Sequence, residues 1–116
     1  MTKEQYVKNL CVPKRRVDVV LDTDACNEVD DQFAITYLLK SVEKLNTVAL
    51  YAAPYSFPGK ETTAEGMELS YREILKLLEL AGEEKPAFRG SDRYLPDKDT
   101  PVISDAVRDL CKRVES

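Results

Sequence analysis

"VDVVLDTDACNEVDDQFAITYLLK", Val17 to Lys40, decides how this 116-residue chain is read. A mostly β-branched run, Val17 to Leu21, has the character of a short buried strand. Four aspartates then fall within ten residues, Asp22, Asp24, Asp30 and Asp31. After them Phe33, Ala34, Tyr37 and Leu38 recur at helical spacing, which predicts a helix from Asp30 to about Lys44. Asp30 and Asp31 would stand in its first turn, where the helix dipole favours negative charge by roughly 0.3–1 kcal/mol each. Together the four carboxylates repel one another, and a cation, a shared proton or a substrate has to offset that repulsion.

Working outward, Met1 to Leu10 reads as a short amphipathic helix ended by Pro13, because proline disfavours helix in the residue before it. Thr47 to Ala53 reads as a second strand, with Pro54 and Pro58-Gly59 forming the loop beyond it. Thr62 to Glu65 has capping-box spacing and opens a helix whose stripe is Met67, Tyr71, Ile74, Leu78 and Ala81, with Gly82 as its stop. Pro86 to Arg89 is a third strand. After "GSDRYLPDKDTP", Ser104 caps a last helix carrying Val107, Leu110, Cys111 and Val114 on one face. A helix followed by three strand-helix pairs implies an α/β, Rossmann-like parallel sheet in one unit spanning residues 1–116. In such sheets ligands bind beyond the carboxyl ends of the strands, which is where the aspartates fall.

Composition narrows the classes of function. With 43% apolar and 33% charged residues, the chain has the balance of an ordinary globular protein. Its net charge is −4, its pI is near 4.9, and Lys14-Arg15-Arg16 is its densest basic run. That argues against nucleic acid as a partner. No apolar segment reaches the roughly 20 residues needed to span a bilayer, so no membrane partner is expected. The N-terminus lacks the apolar core and cleavage site of a signal peptide. Cys11, Cys26 and Cys111 are odd in number and lack metal-ligand spacing, the pattern of reduced thiols in a cytoplasmic protein. Histidine is absent, which removes Ser-His-Asp and Cys-His nucleophile systems and His-ligated zinc.

Three readings of the aspartates need no resemblance to any family. Asp30 and Asp31 as dipole-favoured residues, with Asp22 and Asp24 as turn formers, explains each singly but not all four beside one strand end. An EF-hand beginning at Asp22 would place Asn27 at its glycine position and Phe33 at its glutamate position, and so fails. An aspartate-nucleophile phosphatase is met by Asp22-Thr23-Asp24, but Ala25 and Cys26 stand where its glycine and Thr or Val belong.

Asp22-Thr23-Asp24, a loop, then Asp30-Asp31 and Ala34 opening a helix resembles the N-terminal signature of the inosine/uridine-preferring nucleoside hydrolase family. The likeness continues through "SYREILKLLELAG" (Ser70 to Gly82) and "PAFRGSDRYL" (Pro86 to Leu95). The resemblance implies an N-glycosidase that cleaves the N-ribosyl bond of a small-molecule ribonucleoside or related ribosyl substrate, with Ca2+ as its cofactor. On the matching positions, Asp24 and Asp31 would be calcium ligands. Asp30 would be the general base for the attacking water and would touch the ribose hydroxyls, and Asp22 would support the pocket. Calcium would hold the water and the 2′ and 3′ hydroxyls.

The loop "ACNEV" between Asp24 and Asp30 is two residues longer than the commoner family spacing, which places the chain nearest a divergent branch. Asn27 and Glu28 lie in that insertion, facing either the pocket or solvent. Where the family carries a ribose-holding asparagine after the second strand, this chain reads Ala52-Ala53-Pro54, and Tyr55 or Asn27 is left to supply that hydrogen bond. Tyr51 and Phe57 are read as packing residues. Family members are much longer, so the chain is expected to be a partial domain that offers calcium an open half-site. Two expectations follow from that: a homo-oligomer joined through the uncovered sheet edge, and little release of base. The rival of another class is a non-catalytic module that binds a partner or itself through that edge.

Overall fold

The structure is a computed structural model that describes residues 1–57 and 62–115. Its elements run α1 (Lys3–Asn9), β1 (Val17–Thr23), α2 (Asp30–Lys40), β2 (Leu45–Ala52), α3 (Thr63–Ala81), β3 (Ala87–Arg89) and α4 (Asp105–Glu115). The three strands form one parallel sheet in the order β1-β2-β3. The expected α/β architecture, a parallel sheet flanked by helices, is thus the one observed.

β2 is central and buried on both faces, as its continuous apolar run requires. Leu50 and Ala52 point into one core with Ala25, Ile35 and Leu39, and with Met67, Ile74 and Leu78 of α3. Ala49 and Tyr51 point the other way, against Ala106 of α4, with Val20 and Phe88 alongside. The Tyr51 and Phe88 rings meet edge to face at 5.9 Å. Register slips once, since Val19 pairs with Thr47 while Val20 pairs with Ala49. Val48 is therefore an extra residue in β2, a bulge that adds local twist.

α3 matches its sequence signals to the residue. The Thr62 amide donates to Glu65 Oε2 at 2.8 Å and the Glu65 amide to Thr62 Oγ1 at 3.3 Å, closing the capping box. Gly82 ends the helix at φ 67°, a left-handed conformation that costs glycine little. Ser70 is fully buried, and its one hydroxyl proton is shared between the carbonyls of Ala53 and Gly66, each 3.1 Å away. Outside the helix, Arg89 pairs with Glu68 and stacks 4.1 Å from the Tyr71 ring centre, tying β3 to α3.

α4 lies on the opposite face of the sheet. Its Asp109 accepts from Tyr51 Oη at 2.7 Å and from Arg113 Nε at 2.5 Å. Burial pushes the Tyr51 phenol up to about 12, and the adjoining Asp109 carboxylate adds to the rise. Burial would also raise Asp109, but the hydrogen bonds from Arg113 and Tyr51 outweigh it and leave that carboxyl below its ordinary value.

Several expectations need correction. α2 stops at Lys40, where Ser41 accepts the role of cap and its hydroxyl turns back to the Tyr37 carbonyl at 2.7 Å. Its core face is Ile35, Leu38 and Leu39; of the expected stripe only Leu38 is buried, while Phe33 is 72% and Tyr37 77% exposed. In α4 only Ala106 is buried, and Leu110, Cys111 and Val114 face solvent. β2 starts two residues earlier than expected and β1 runs two residues longer. Pro58-Gly59 falls outside the described residues.

Close packing at the start of α3 can be tested directly. A Cβ added at Gly66 would sit 2.0 Å from the Tyr55 carbonyl oxygen. Gly66→Ala is therefore expected to destabilise the chain by about 1–3 kcal/mol in urea unfolding, against the usual helical gain from alanine. Equal or greater stability would show that α3 does not approach Tyr55 so closely.

Candidate functional site

The aspartates cluster where β1 ends and α2 begins, and local hydrogen bonding explains how the intervening loop turns. Ala25 is fully buried in the core beneath α2 and α3, which pins the chain one residue after Asp24. The chain must then reverse, and the Asn27 amide donates to the Asp24 carbonyl at 3.0 Å across the turn. Cys26 takes the strain at φ 80°, a left-handed conformation that costs a non-glycine residue about 1–2 kcal/mol. Its thiol, like those of Cys11 and Cys111, is free and exposed.

Two aspartates are held by neighbours. Asn27 Nδ2 donates to Asp24 Oδ2 at 2.7 Å, and the Thr23 hydroxyl donates to Asp31 Oδ1. Thr23 is buried at the end of β1, so this bond fixes the first turn of α2 to the strand. Asp30, the first residue of α2, is exposed, and its side chain makes no hydrogen bond among the described residues. Asn27 is half-buried and turned inward, and its Oδ1 is a buried oxygen with no partner among the described residues. A carbonyl oxygen left so is costly unless something donates to it or a cation meets it.

Asp22 is the aspartate that reaches a cavity. It lines a space of about 310 Å³ beyond the carboxyl ends of the three strands, together with Pro54, Gly90, Arg93, Tyr94 and Ser104. Gly90 is required there: its amide donates to the Ala52 carbonyl at 3.0 Å, and a Cβ would lie 2.1 Å from the same oxygen. Although Asp22 remains open to solvent on one side, withdrawal of its carboxyl from water raises its pKa, and the nearby Asp24 charge raises it further. The cluster thus divides: Asp22 faces the cavity, while Asp24, Asp30, Asp31 and Asn27 do not line it.

The donors are all oxygens, the chemistry a hard divalent cation prefers. Among the described residues, no three His, Cys, Asp or Glu side chains gather closely enough to hold a metal ion. The donors fit calcium in kind but do not form a closed cage, and it is the Asn27 amide nitrogen, not its orphaned oxygen, that meets Asp24. Tyr55, weighed as a ribose donor, is buried with its ring 6.2 Å from that of Phe57. Tyr51 packs in the core beneath α4, the role expected of it.

Sequence reasoning did not single out Thr23 as the residue that positions Asp31, nor Arg93 and Tyr94 as cavity walls. A signal for the latter existed, since they follow the third strand, where crevices of parallel sheets open. No helix among the described residues is long and apolar enough to cross a membrane. No family model matches the chain, and neither a curated protein nor a solved structure does.

The raised Asp22 pKa has a testable sign. A carboxyl whose folded pKa exceeds its unfolded value favours folding below the unfolded value and loses that benefit as pH rises through the folded one. Asp22→Asn should therefore raise the melting temperature at about pH 7, with the gain vanishing near pH 3. A variant less stable at neutral pH would show that the Asp22 charge is compensated in the fold.

Proposed function

We propose that the chain is a nucleoside hydrolase-like N-glycosidase element whose aspartate junction binds calcium and a ribosyl substrate. The observation that carries this reading is the placement of four aspartates at the carboxyl end of β1 and the first turn of α2, with the buried Asn27 oxygen beside them unpartnered. Asp24 and Asp31 would hold the ion. When bound, calcium supplies positive charge that offsets the carboxylates and makes a water easier to deprotonate.

The chain's own residues divide the remaining work. Asp30, exposed and with a side chain that makes no hydrogen bond among the described residues, is the general base that takes a proton from the attacking water. The water oxygen bonds to C1′ as the C1′–N bond breaks; that bond's electron pair leaves with the nucleobase, which takes a proton from solvent, while the proton from the attacking water goes to Asp30 and then to solvent. Asp30 and Asp22 accept hydrogen bonds from ribose hydroxyls, and Asn27 borders the same junction. The Thr23 hydroxyl, by fixing Asp31, keeps the first turn of α2 in line with the strand end.

Calorimetry tests this reading. Asp24→Asn and Asp31→Asn should each weaken calcium binding by about tenfold or more, since a charge is lost and the shape is kept. Asp30→Asn should leave calcium binding largely intact, and a purine or pyrimidine ribonucleoside should bind only in the presence of calcium. Unchanged calcium affinity in both ligand variants would remove the metal assignment. Beryllofluoride occupancy that depends on Asp22 would replace the hydrolase reading with the phosphatase one.

A further inference from the structure

α2 is apolar on two sides. Ile35, Leu38 and Leu39 fill the core, yet Phe33, Ala34 and Tyr37 are exposed. Among the described residues nothing covers this second stripe. Its direction follows from the helix geometry. The Gln32 amide lies 3.4 Å from Glu73 of α3 and marks the side toward that helix. At 3.6 residues per turn, Ala34 and Tyr37 lie about 200° and about 140° round from Gln32, so they face away from α3 and toward the β1 side of the molecule.

On that side the sheet is also open. β1 is an outer strand of seven residues, and among the described residues no strand pairs with its second edge. The Val17 amide and the Thr23 carbonyl bond toward β2, to the Lys44 carbonyl and the Ala53 amide. Alternation along the strand therefore turns the backbone groups of Asp18, Val20 and Asp22 outward. A long edge of this kind is a template for pairing.

Charge says what fits it. Lys14, Arg15 and Arg16 stand at the amino end of β1 and form no ion pair among the described residues. Asp22 and Asp24 stand at its carboxyl end. A second β1 laid antiparallel brings each basic end against the other acidic end, whereas a parallel copy sets like against like. The antiparallel arrangement is also the closed, two-fold one. It brings the two Ala34 and Tyr37 faces together above the joined edge. The Tyr37 ring of each copy, an aromatic of the kind that buries about 150–250 Å², adds to the area the paired strand edges cover.

We propose that the chain forms a two-fold homodimer by antiparallel pairing of β1 edges, giving a continuous six-stranded sheet with the α2 stripes packed across the axis. The proposal rests on the edge, the stripe and the charge pattern, and because Asp24 enters the calcium reading too, association is measured without added calcium. Sedimentation equilibrium on the full chain should give a dimer at micromolar concentration, and Tyr37→Glu a monomer with unchanged circular dichroism. In the unmodified protein, hydrogen exchange should show the Asp18, Val20 and Asp22 amides protected at high concentration and fast on dilution. Arg15→Glu should weaken the dimer, and adding Asp24→Lys should restore part of the loss. A monomeric unmodified chain, or a dimer whose β1 amides exchange fast at every concentration, would overturn the proposal.

Discussion

Everything in the molecule is hung on β2. It is the strand that bonds to both neighbours, and its buried half from Ala49 to Ala52 packs on helices on both faces. Leu50 and Ala52 set the depth at which α2 and α3 lie, while Ala49 and Tyr51 set that of α4. Its parallel pairing also forces all three strands to end on the same side. The aspartates of β1, the Ala52-Ala53-Pro54 segment and Gly90 are therefore neighbours because the sheet is parallel. The cavity beyond them follows from the same constraint.

At that edge the fold carries costs that a simple scaffold would avoid. The loop after β1 holds Cys26 in a left-handed conformation, leaves the Asn27 amide oxygen buried without a partner and raises the Asp22 pKa through burial and Asp24. Strain, an orphaned acceptor and carboxylate repulsion thus fall together in one short segment. The last two would be relieved by positive charge. Thr23 and Asn27 restrain Asp31 and Asp24, so the carboxylates are oriented as well as crowded.

The sequence made some of this readable and hid the rest for definite reasons. α3 was legible to the residue because its capping box, its apolar stripe and Gly82 all point the same way. α2 was legible as a helix, but its buried face was not. Apolar residues occur all round it, and Phe33, Ala34 and Tyr37 keep helical spacing as well as Ile35, Leu38 and Leu39 do. α4 was found from Ser104, whose hydroxyl accepts from the Val107 amide at 3.3 Å, yet its burial was overread, because only Ala106 is buried. Of the site, the position of the aspartates at the strand end was visible in the spacing alone. The pairing of Thr23 with Asp31 was not, since a threonine in a strand can turn its hydroxyl to core or to solvent. Arg93 and Tyr94 come to the cavity through a loop whose path no periodicity reveals.

The claim on which the account turns is that the β1–α2 junction is a cation site. Carboxyl-carbon NMR of the aspartates during a calcium titration tests it most directly, because each carboxylate reports separately. The account predicts saturable shifts at Asp24 and Asp31, a fall in the Asp22 pKa toward the ordinary aspartate value, and no comparable change at Asp97 or Asp99. Shifts at Asp24 and Asp31 no larger than at those surface residues, with the Asp22 pKa unmoved, would contradict it.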